Sequence, residues 1–304
     1  MVVKLGDVAE RAGVSVTTVS RVINRYGSLS QKTINKVEQA MRDLHYQPNA
    51  MARAMQGKRS KIIGLIFPNI LNPFYAELVN RIEQQLFSRG YRMMLVSSAD
   101  NPAREEGALA MLQANQVEGI ITGSHNLNIR EYHDLHLPIV SFDRYLSDQI
   151  PIVQADHSQA GQLTAQYVLS QDCTNVLIVV DPDMSSSPTL ARIECAEKVL
   201  HDYQVATKRV TMANVYEEIA SQDYDAIIPT NDLDAVDLIR YIQGSQQDCL
   251  VIGYDGTQLM RRLFPNLVTI QQPITALAQQ LIETLLAVID QQTVPKVTKV
   301  PFIA

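Results

Sequence analysis

Nowhere in its 304 residues does this chain reach the roughly 18 consecutive apolar residues of a membrane-spanning helix. Its opening stretch, MVVKLGDVAERAG, also lacks an apolar core of signal-peptide length. A membrane partner is therefore not expected, and the sequence reads as cytoplasmic. Cysteine is scarce: Cys173, Cys195 and Cys249 stand far apart with no C-x-x-C pair. They read as small buried hydrophobes in a reducing compartment rather than as metal ligands or redox groups. The loops that carry common chemistry are missing too. There is no G-x-x-x-x-G-K-[ST], no G-x-S-x-G and no G-x-G-x-x-G, so neither catalysis nor a cofactor is expected. His133-x-x-His136 has no further ligands nearby and reads as a solvated pair rather than a metal site. DLDAVD, residues 232–237, starts like a calcium loop, but Asp237 stands where the turn needs glycine and Gln243 where the closing glutamate belongs.

Acid is missing from one place in particular. The net charge is −6, yet residues 1–61 hold eleven lysines and arginines against four acids. A basic head on an acidic body is the asymmetry of a nucleic-acid-binding module joined to something else. Within that head GVSVTTVSRVIN, residues 13–24, contains no acid at all. It has the length of a short helix but is rich in valine, threonine and serine, which lose conformational freedom in helices.

Three helices fit the head. LGDVAERAG places Val8, Ala9 and Ala12 on one face and stops at Gly13, a natural C-cap. Ser15 then N-caps a second helix whose Val19, Val22 and Ile23 follow the i, i+3, i+4 spacing of a buried stripe. Ser30 opens a third, with Ile34, Val37, Met41 and Leu44 facing inward. The short Gly-containing turn between the first two makes a helix-turn-helix. Burying Val19, Val22 and Ile23 leaves Val16, Thr17, Thr18, Ser20, Arg21 and Asn24 outward. That set suits a major groove: small side chains allow close approach, hydroxyls and arginine reach phosphates or bases, and methyls meet thymine. An acid there would repel phosphate.

VKLGDVAERAGVSVTTVSRVIN, followed by LSQKTINKVEQAMRDLHYQPN, resembles the DNA-binding headpiece of the lactose/galactose repressor family, densely and without gaps. The resemblance implies that the second helix enters the major groove of double-stranded DNA, with Val16 and Thr17 at the base-reading positions. Thr18, Ser20 and Arg21 would contact phosphates or bases. It also implies that residues 48–61, which include Asn49, Ala52, Arg53 and Met55, form a hinge helix on DNA. Two such helices from a dimer enter the minor groove, where Met55 takes the place of the usual leucine wedge.

From residue 61 onward, apolar runs alternate with amphipathic stretches. KIIGLIF, RMMLVSS, VEGIIT, PIVSF, NVLIVV, YDAIIP and CLVIGY read as strands; PFYAELVNRIEQQLFSRG, PAREEGALAMLQAN and DHSQAGQLTAQYVLSQ read as helices. This alternation argues for a parallel α/β architecture, and two consecutive sets of strands argue for two lobes with a cleft between them. Ligands collect at the carboxyl ends of such strands. There the sequence offers Asn72, Phe74 and Tyr75, then Asp143 and Arg144, Arg192, Asn231 and Asp232, and Asp255. Acids, amides and arginine beside an aromatic face suit the hydroxyls and apolar side of a sugar. Some alternatives stay open: Asn231 is also placed to cap a helix, Asp143 and Arg144 to form a structural pair, and Phe74 to pack in the core.

The family resemblance continues through this body, at IGLIFPNILNPFYAELV, NQVEGII, PIVSFDR, IPTNDLDA, VIGYDGT and TIQQP, and is densest with the sucrose-operon branch. It implies a two-lobed α/β effector domain of the periplasmic-binding-protein type, in which Arg192 and Asp255 hold the effector and Phe74 lines the pocket. One departure is that Cys195 and Ala196 follow Arg192 where the family usually has glycine and an aromatic. The expected organisation is a headpiece at 1–47, a hinge at 48–61 and an effector-binding, dimerising body at 62–304. The expected function is a homodimeric repressor on a near-palindromic operator, released by a small sugar or sugar phosphate. The alternatives are a catabolite-control regulator with a phosphorylated carrier protein as corepressor, and a two-lobed sugar-binding protein.

Overall fold

The computed structural model describes residues 3–24, 26–47, 59–124, 126, 129–181, 189–245 and 247–302, apart from the side chains of residues 131 and 133. The hinge candidates Asn49, Ala52, Arg53 and Met55 lie outside the described residues. Contacts divide the chain into two units, Met1–Ser60 and Lys61–Ala304.

The first unit is a three-helix domain of α1 (Leu5–Ala12), α2 (Val16–Ile23) and α3 (Gln31–Asp43). Its short helices are defined by their caps. Gly13 closes α1 at φ +63°, a conformation open to glycine without a Cβ clash, and the amide of Val14 returns to the carbonyl of Ala9 at 3.0 Å. Ser15 Oγ accepts the amide of Thr18 at 3.1 Å, and Ser30 Oγ that of Thr33 at 3.2 Å. Val8, Ala9, Ala12, Val19, Val22, Val37 and Ala40 form the core. The expected inward stripe of α3 is corrected here: Val37 and Ala40 are buried, whereas Ile34, Met41 and Leu44 are only partly covered. Small residues at 9, 12 and 40 bring the helices close, so the larger side chains of α3 flank the core instead of filling it. Ile23 is half-buried in the same way.

The second unit holds two parallel sheets. The first contains β1 (Ile62–Phe67), β2 (Arg92–Ser97), β3 (Gly119–Thr122), β4 (Ile139–Phe142), β5 (Ile152–Ala155) and β11 (Val297–Val300), in the order β11-β5-β4-β3-β1-β2. The second contains β6 (Asn175–Val180), β7 (Ala206–Thr211), β8 (Ala226–Ile228), β9 (Leu250–Asp255) and β10 (Val268–Gln271), in the order β10-β9-β8-β6-β7. All the strand pairs are parallel. The strands are therefore not two consecutive sets, as the sequence suggested: β11 returns from the far end of the chain to pair with β5.

Helices cover both faces of each sheet. α4 (Pro73–Ser88), α5 (Pro102–Ala114), the short α6 (Glu131–Asp134) and α12 (Ile274–Ile289) belong to the first lobe. α7 (His157–Ser170), α8 (Leu190–Asp202), α9 (Val215–Ser221), α10 (Asp232–Ser245) and α11 (Gln258–Leu263) belong to the second. Central strands such as IIGLIF are buried on both sides, which explains their unbroken apolar runs. The chain passes between lobes from β5 into α7 and from β10 into α12. After β11, Phe302 exchanges two backbone hydrogen bonds with the side chain of Gln159 on α7, at 2.7 and 3.1 Å. One core cluster spans this junction, joining Phe74, Phe142 and Leu281 to Ala160 and Tyr254.

Of the three cysteines only Cys173 is buried; Cys195 and Cys249 are half-covered, and all three are free. Among the described residues no group of three or more His, Cys, Asp or Glu side chains is placed to hold a metal ion.

Candidate functional site

The outer face of α2 is built as its pattern requires. Val16 is 48% exposed, Thr17 and Arg21 are exposed, and Thr18, Ser20 and Asn24 are half-covered. Thr17, Ser20, Arg21, Asn24 and Tyr26 line one hollow on this face. Two of its side chains also serve the helix itself. The Thr18 hydroxyl pairs with Ser15 Oγ at 2.9 Å, and Asn24 Nδ2 donates to the Ser20 carbonyl and hydroxyl at 2.5 and 3.2 Å. Val16, Thr17 and Arg21 are therefore the readiest to meet a partner. The Arg21 guanidinium lies 6.0 Å from the Tyr26 ring centroid, and no carboxylate pairs with it among the described residues.

In the body, two carboxylates end strands in strained backbone. Asp143 follows β4 at φ +57°, and Asp255 ends β9 at φ +128°. Non-glycine residues enter this region at a cost and do so most often where function requires it. Asp143 Oδ1 meets Nε2 of His157, the first residue of α7, at 2.5 Å, which links the lobes. Arg144 turns back onto Asp143, donating to its carbonyl at 2.8 Å and lying 3.9 Å from its carboxylate. The structural pairing left open by the sequence is thus present.

Asp255 is buried and accepts a hydrogen bond from Gln272 Nε2 at 2.8 Å. Burial pushes its carboxyl up to about 8, with nearby Asp232 adding to the shift and Gln272 and Arg192 opposing it. Asp232, at the start of α10, supports the turn below: its two oxygens accept the Gly256 amide at 2.9 Å and the Thr269 hydroxyl at 2.6 Å. Arg192 is buried, stacks over the Tyr254 ring with Cζ at 3.6 Å from the centroid, and donates through Nη2 to the Thr230 carbonyl at 3.0 Å. Its Nη1 and the Tyr254 hydroxyl are buried without a hydrogen-bond partner of good geometry among the described residues. Such groups are rare in folded proteins and mark where a polar ligand would be satisfied.

These groups converge. Burial pushes the Tyr75 phenol up, and it also feels Arg144, Asp143 and Asp255. The Tyr254 phenol is raised by burial likewise and feels Arg192, Asp143 and Asp255. Carboxylates, arginines and aromatic rings from both lobes therefore lie near enough to feel one another's charge. Phe74 packs in the core, its ring 5.7 Å from that of Phe142 and 5.6 Å from that of Tyr75. Asn231 is a cap. Its Oδ1 accepts the amides of Leu233 and Asp234 at 2.9 and 3.0 Å, and its Nδ2 donates to Thr230 and Asp234. Sequence reasoning missed His157, Tyr254 and Gln272. His157 follows a strand that the sequence did not reveal, while Tyr254 and Gln272 sit within the VIGYDGT and TIQQP motifs and could have been found there.

The raised Asp255 has a consequence for stability. The folded chain holds its proton up to about pH 8, whereas an unfolded aspartate releases it near 3.8. Between these values the folded state binds more protons, so this group's contribution makes stability fall as pH rises, until Asp255 is ionised. Asp255→Asn is expected to flatten the slope, read from urea denaturation between pH 5.5 and 8.5. Equal slopes in both proteins would contradict the assignment.

Comparison with known proteins places both units. Residues 4–49 match the bacterial regulatory proteins of the lacI family, and residues 60–303 match the periplasmic binding proteins and sugar binding domain of the LacI family. The chain is 45% identical to the sucrose operon repressor of Pediococcus pentosaceus, covering 94% of this chain and 92% of that one. It is 41% identical to the sucrose operon repressor of Lactococcus lactis subsp. lactis, covering 98% and 97%. Among solved structures it overlaps the lac repressor dimer bound to operator and the anti-inducer ONPF, with a TM-score of 0.85, 26% identity, and coverage of 99% and 97%. With family matches over both units and relatives this similar along nearly the whole chain, the protein belongs to the lacI family of bacterial regulatory proteins.

Proposed function

We propose that this protein is a cytoplasmic, homodimeric repressor of a sucrose-utilisation operon, released from its operator by a small sugar bound between the lobes of the body. The observation that carries this reading is the near full-length similarity to sucrose operon repressors. The acid-free α2 face and the convergence of Arg192, Asp255 and Asp143 support it. Residues 1–47 read the major groove through Val16, Thr17, Ser20 and Arg21, with Thr18 and Asn24 shaping the same face. Residues 48–61 form the hinge, where Asn49, Ala52, Arg53 and Met55 face the minor groove. A dimer presents two headpieces about one DNA turn apart, which matches a near-palindrome. In the body, Asp255 and Asp143 accept sugar hydroxyls, Arg192 donates through Nη1, and Tyr75 supplies a ring face. Asn231 holds the α10 end of this wall, and Arg144 holds Asp143. Among the described residues no helix is long and apolar enough to cross a membrane.

The deciding experiment is binding of the full chain to a two-fold symmetric operator against random duplex of equal length, with sucrose, fructose and their phosphates titrated in turn. We expect strong preference for the symmetric site, release by one of these sugars, and operator affinity that falls steeply with salt as phosphate counterions are displaced. No preference over random duplex would refute the repressor reading. Operator binding strengthened by a phosphorylated carrier protein, with no response to sugar, would favour a catabolite-control regulator.

A further inference from the structure

The lobes also meet beside the point where the chain crosses from β10 into α12. Glu77 on α4 reaches over to the other lobe, and its Oε2 accepts the backbone N–H of Gln258, the first residue of α11, at 2.7 Å. Its Oε1 faces Arg81 one helical turn on, with Nη2 at 3.5 Å. The Glu77 side chain is only 16% exposed, so solvent screens the contact less than an open surface pair. Glu77, Arg81, Gln258 and Arg261 line a cleft of about 190 Å³ at this junction, closed on one side by the crossing segment.

The N–H that Glu77 takes is one of those left without an acceptor at the start of a helix. Thr257 Oγ1 satisfies Met260, at 3.2 Å, but the Gln258 amide is satisfied by a residue of the opposite lobe. Gln258 also follows Asp255 through a single turn, so the ligand carboxylate and the interlobe contact share one segment of chain. Movement of one is carried to the other.

We propose that Glu77 is an interlobe clasp: by holding the Gln258 amide it stabilises the lobe arrangement that grips the operator, and sugar at Asp255 must break it. The inference rests on the repressor reading above. The chain overlaps the operator-bound lac repressor with a TM-score of 0.85, and on that similarity the proposal places the contact in the gripping arrangement. A ligand shifts such an equilibrium only by its differential affinity for the two arrangements. Removing a contact specific to the gripping one therefore lowers what the sugar must supply, and by linkage weakens the operator complex.

Two substitutions remove the contact from opposite sides. Glu77→Ala deletes the acceptor. Gln258→Pro deletes the donor at a position where helices accept proline, and the extended backbone of Thr257 before it (φ −63°, ψ 155°) is compatible. With the full chain on its operator, each variant is expected to need about tenfold less sucrose for half-release, the size of one charge-assisted hydrogen bond. Each should also bind operator more weakly without sugar. The double variant should go no further than either single one. Glu77→Gln, which keeps an acceptor oxygen without the charge, should fall between wild type and Glu77→Ala. General loss of packing would not tighten the sugar response, so that direction separates a clasp from a merely structural contact. Unchanged sucrose requirement and unchanged operator affinity in both single variants would overturn the proposal, as would a raised sucrose requirement. A wild-type protein that sucrose does not release counts against the sucrose reading alone. The clasp is then judged on sugar-free operator affinity, with a loss supporting it and no change overturning it.

Discussion

Arg21→Ala is expected to weaken operator binding by roughly 10- to 100-fold, the range for losing one arginine contact to a base or phosphate. The side chain stands on the exposed face of α2, and among the described residues no carboxylate draws it away from a partner. Its headpiece core lies on the other side, in Val8, Val19, Val22 and Val37, so the substitution leaves folding intact. Fluorescence anisotropy on labelled operator measures the change, and its salt dependence identifies the contact. If Arg21 meets a phosphate, the slope of affinity against salt becomes shallower and all sequences weaken alike. If it meets a base edge, the slope is kept and the preference at one position relaxes. Unchanged affinity would remove α2 from the interface.

Asp255→Ala is expected to leave operator affinity intact and to raise the sugar needed for release at least 100-fold. Once bound hydroxyls favour its ionised form, the buried Asp255 carboxylate makes strong, charge-assisted hydrogen bonds, and truncating it also leaves the ligand's donors unpaired in a dry site. Gln272 would lose its acceptor as well, since its Nε2 donates to Asp255 at 2.8 Å. The release titration decides: a variant that lets go of operator at the wild-type sugar concentration removes Asp255 from the ligand site. Because bound hydroxyls favour the ionised carboxylate, sugar affinity in the wild type should also improve as pH rises toward 8.

The sequence announced the strands that are buried on both faces. IIGLIF and NVLIVV are nearly continuous apolar runs because helices cover both sides of their sheets. The strands it concealed are short or lie at sheet edges. ATKRVT, VTIQ and VTKV form the edge strands β7, β10 and β11, where at most one residue in each is fully buried and the apolar signal fades. IVQA, which forms β5, is fully buried but only four residues long. Missing β5 and β11 hid how the first sheet is completed, and with it His157, which begins the helix directly after β5. The helix starts were legible because Ser15 and Ser30 are local signals that need no tertiary context. Asp255 was legible as a polar residue ending an apolar run. What the sequence could not express was the reach of Arg192 across to Tyr254, or of Glu77 across to Gln258, because nothing local encodes a partner on another element.

Gly161 lies within α7, where a methyl group would sit 2.2 Å from the carbonyl oxygen of Arg192 and 3.0 Å from the amide nitrogen of Ala196. The two helices thus meet closely, main chain against main chain, with Cys195 Cβ also 3.0 Å from that position. Arg192 is consequently anchored at its root by a close-packed seam. At the proposed ligand site, such a seam would pass a pull on the Arg192 side chain into both helices at once.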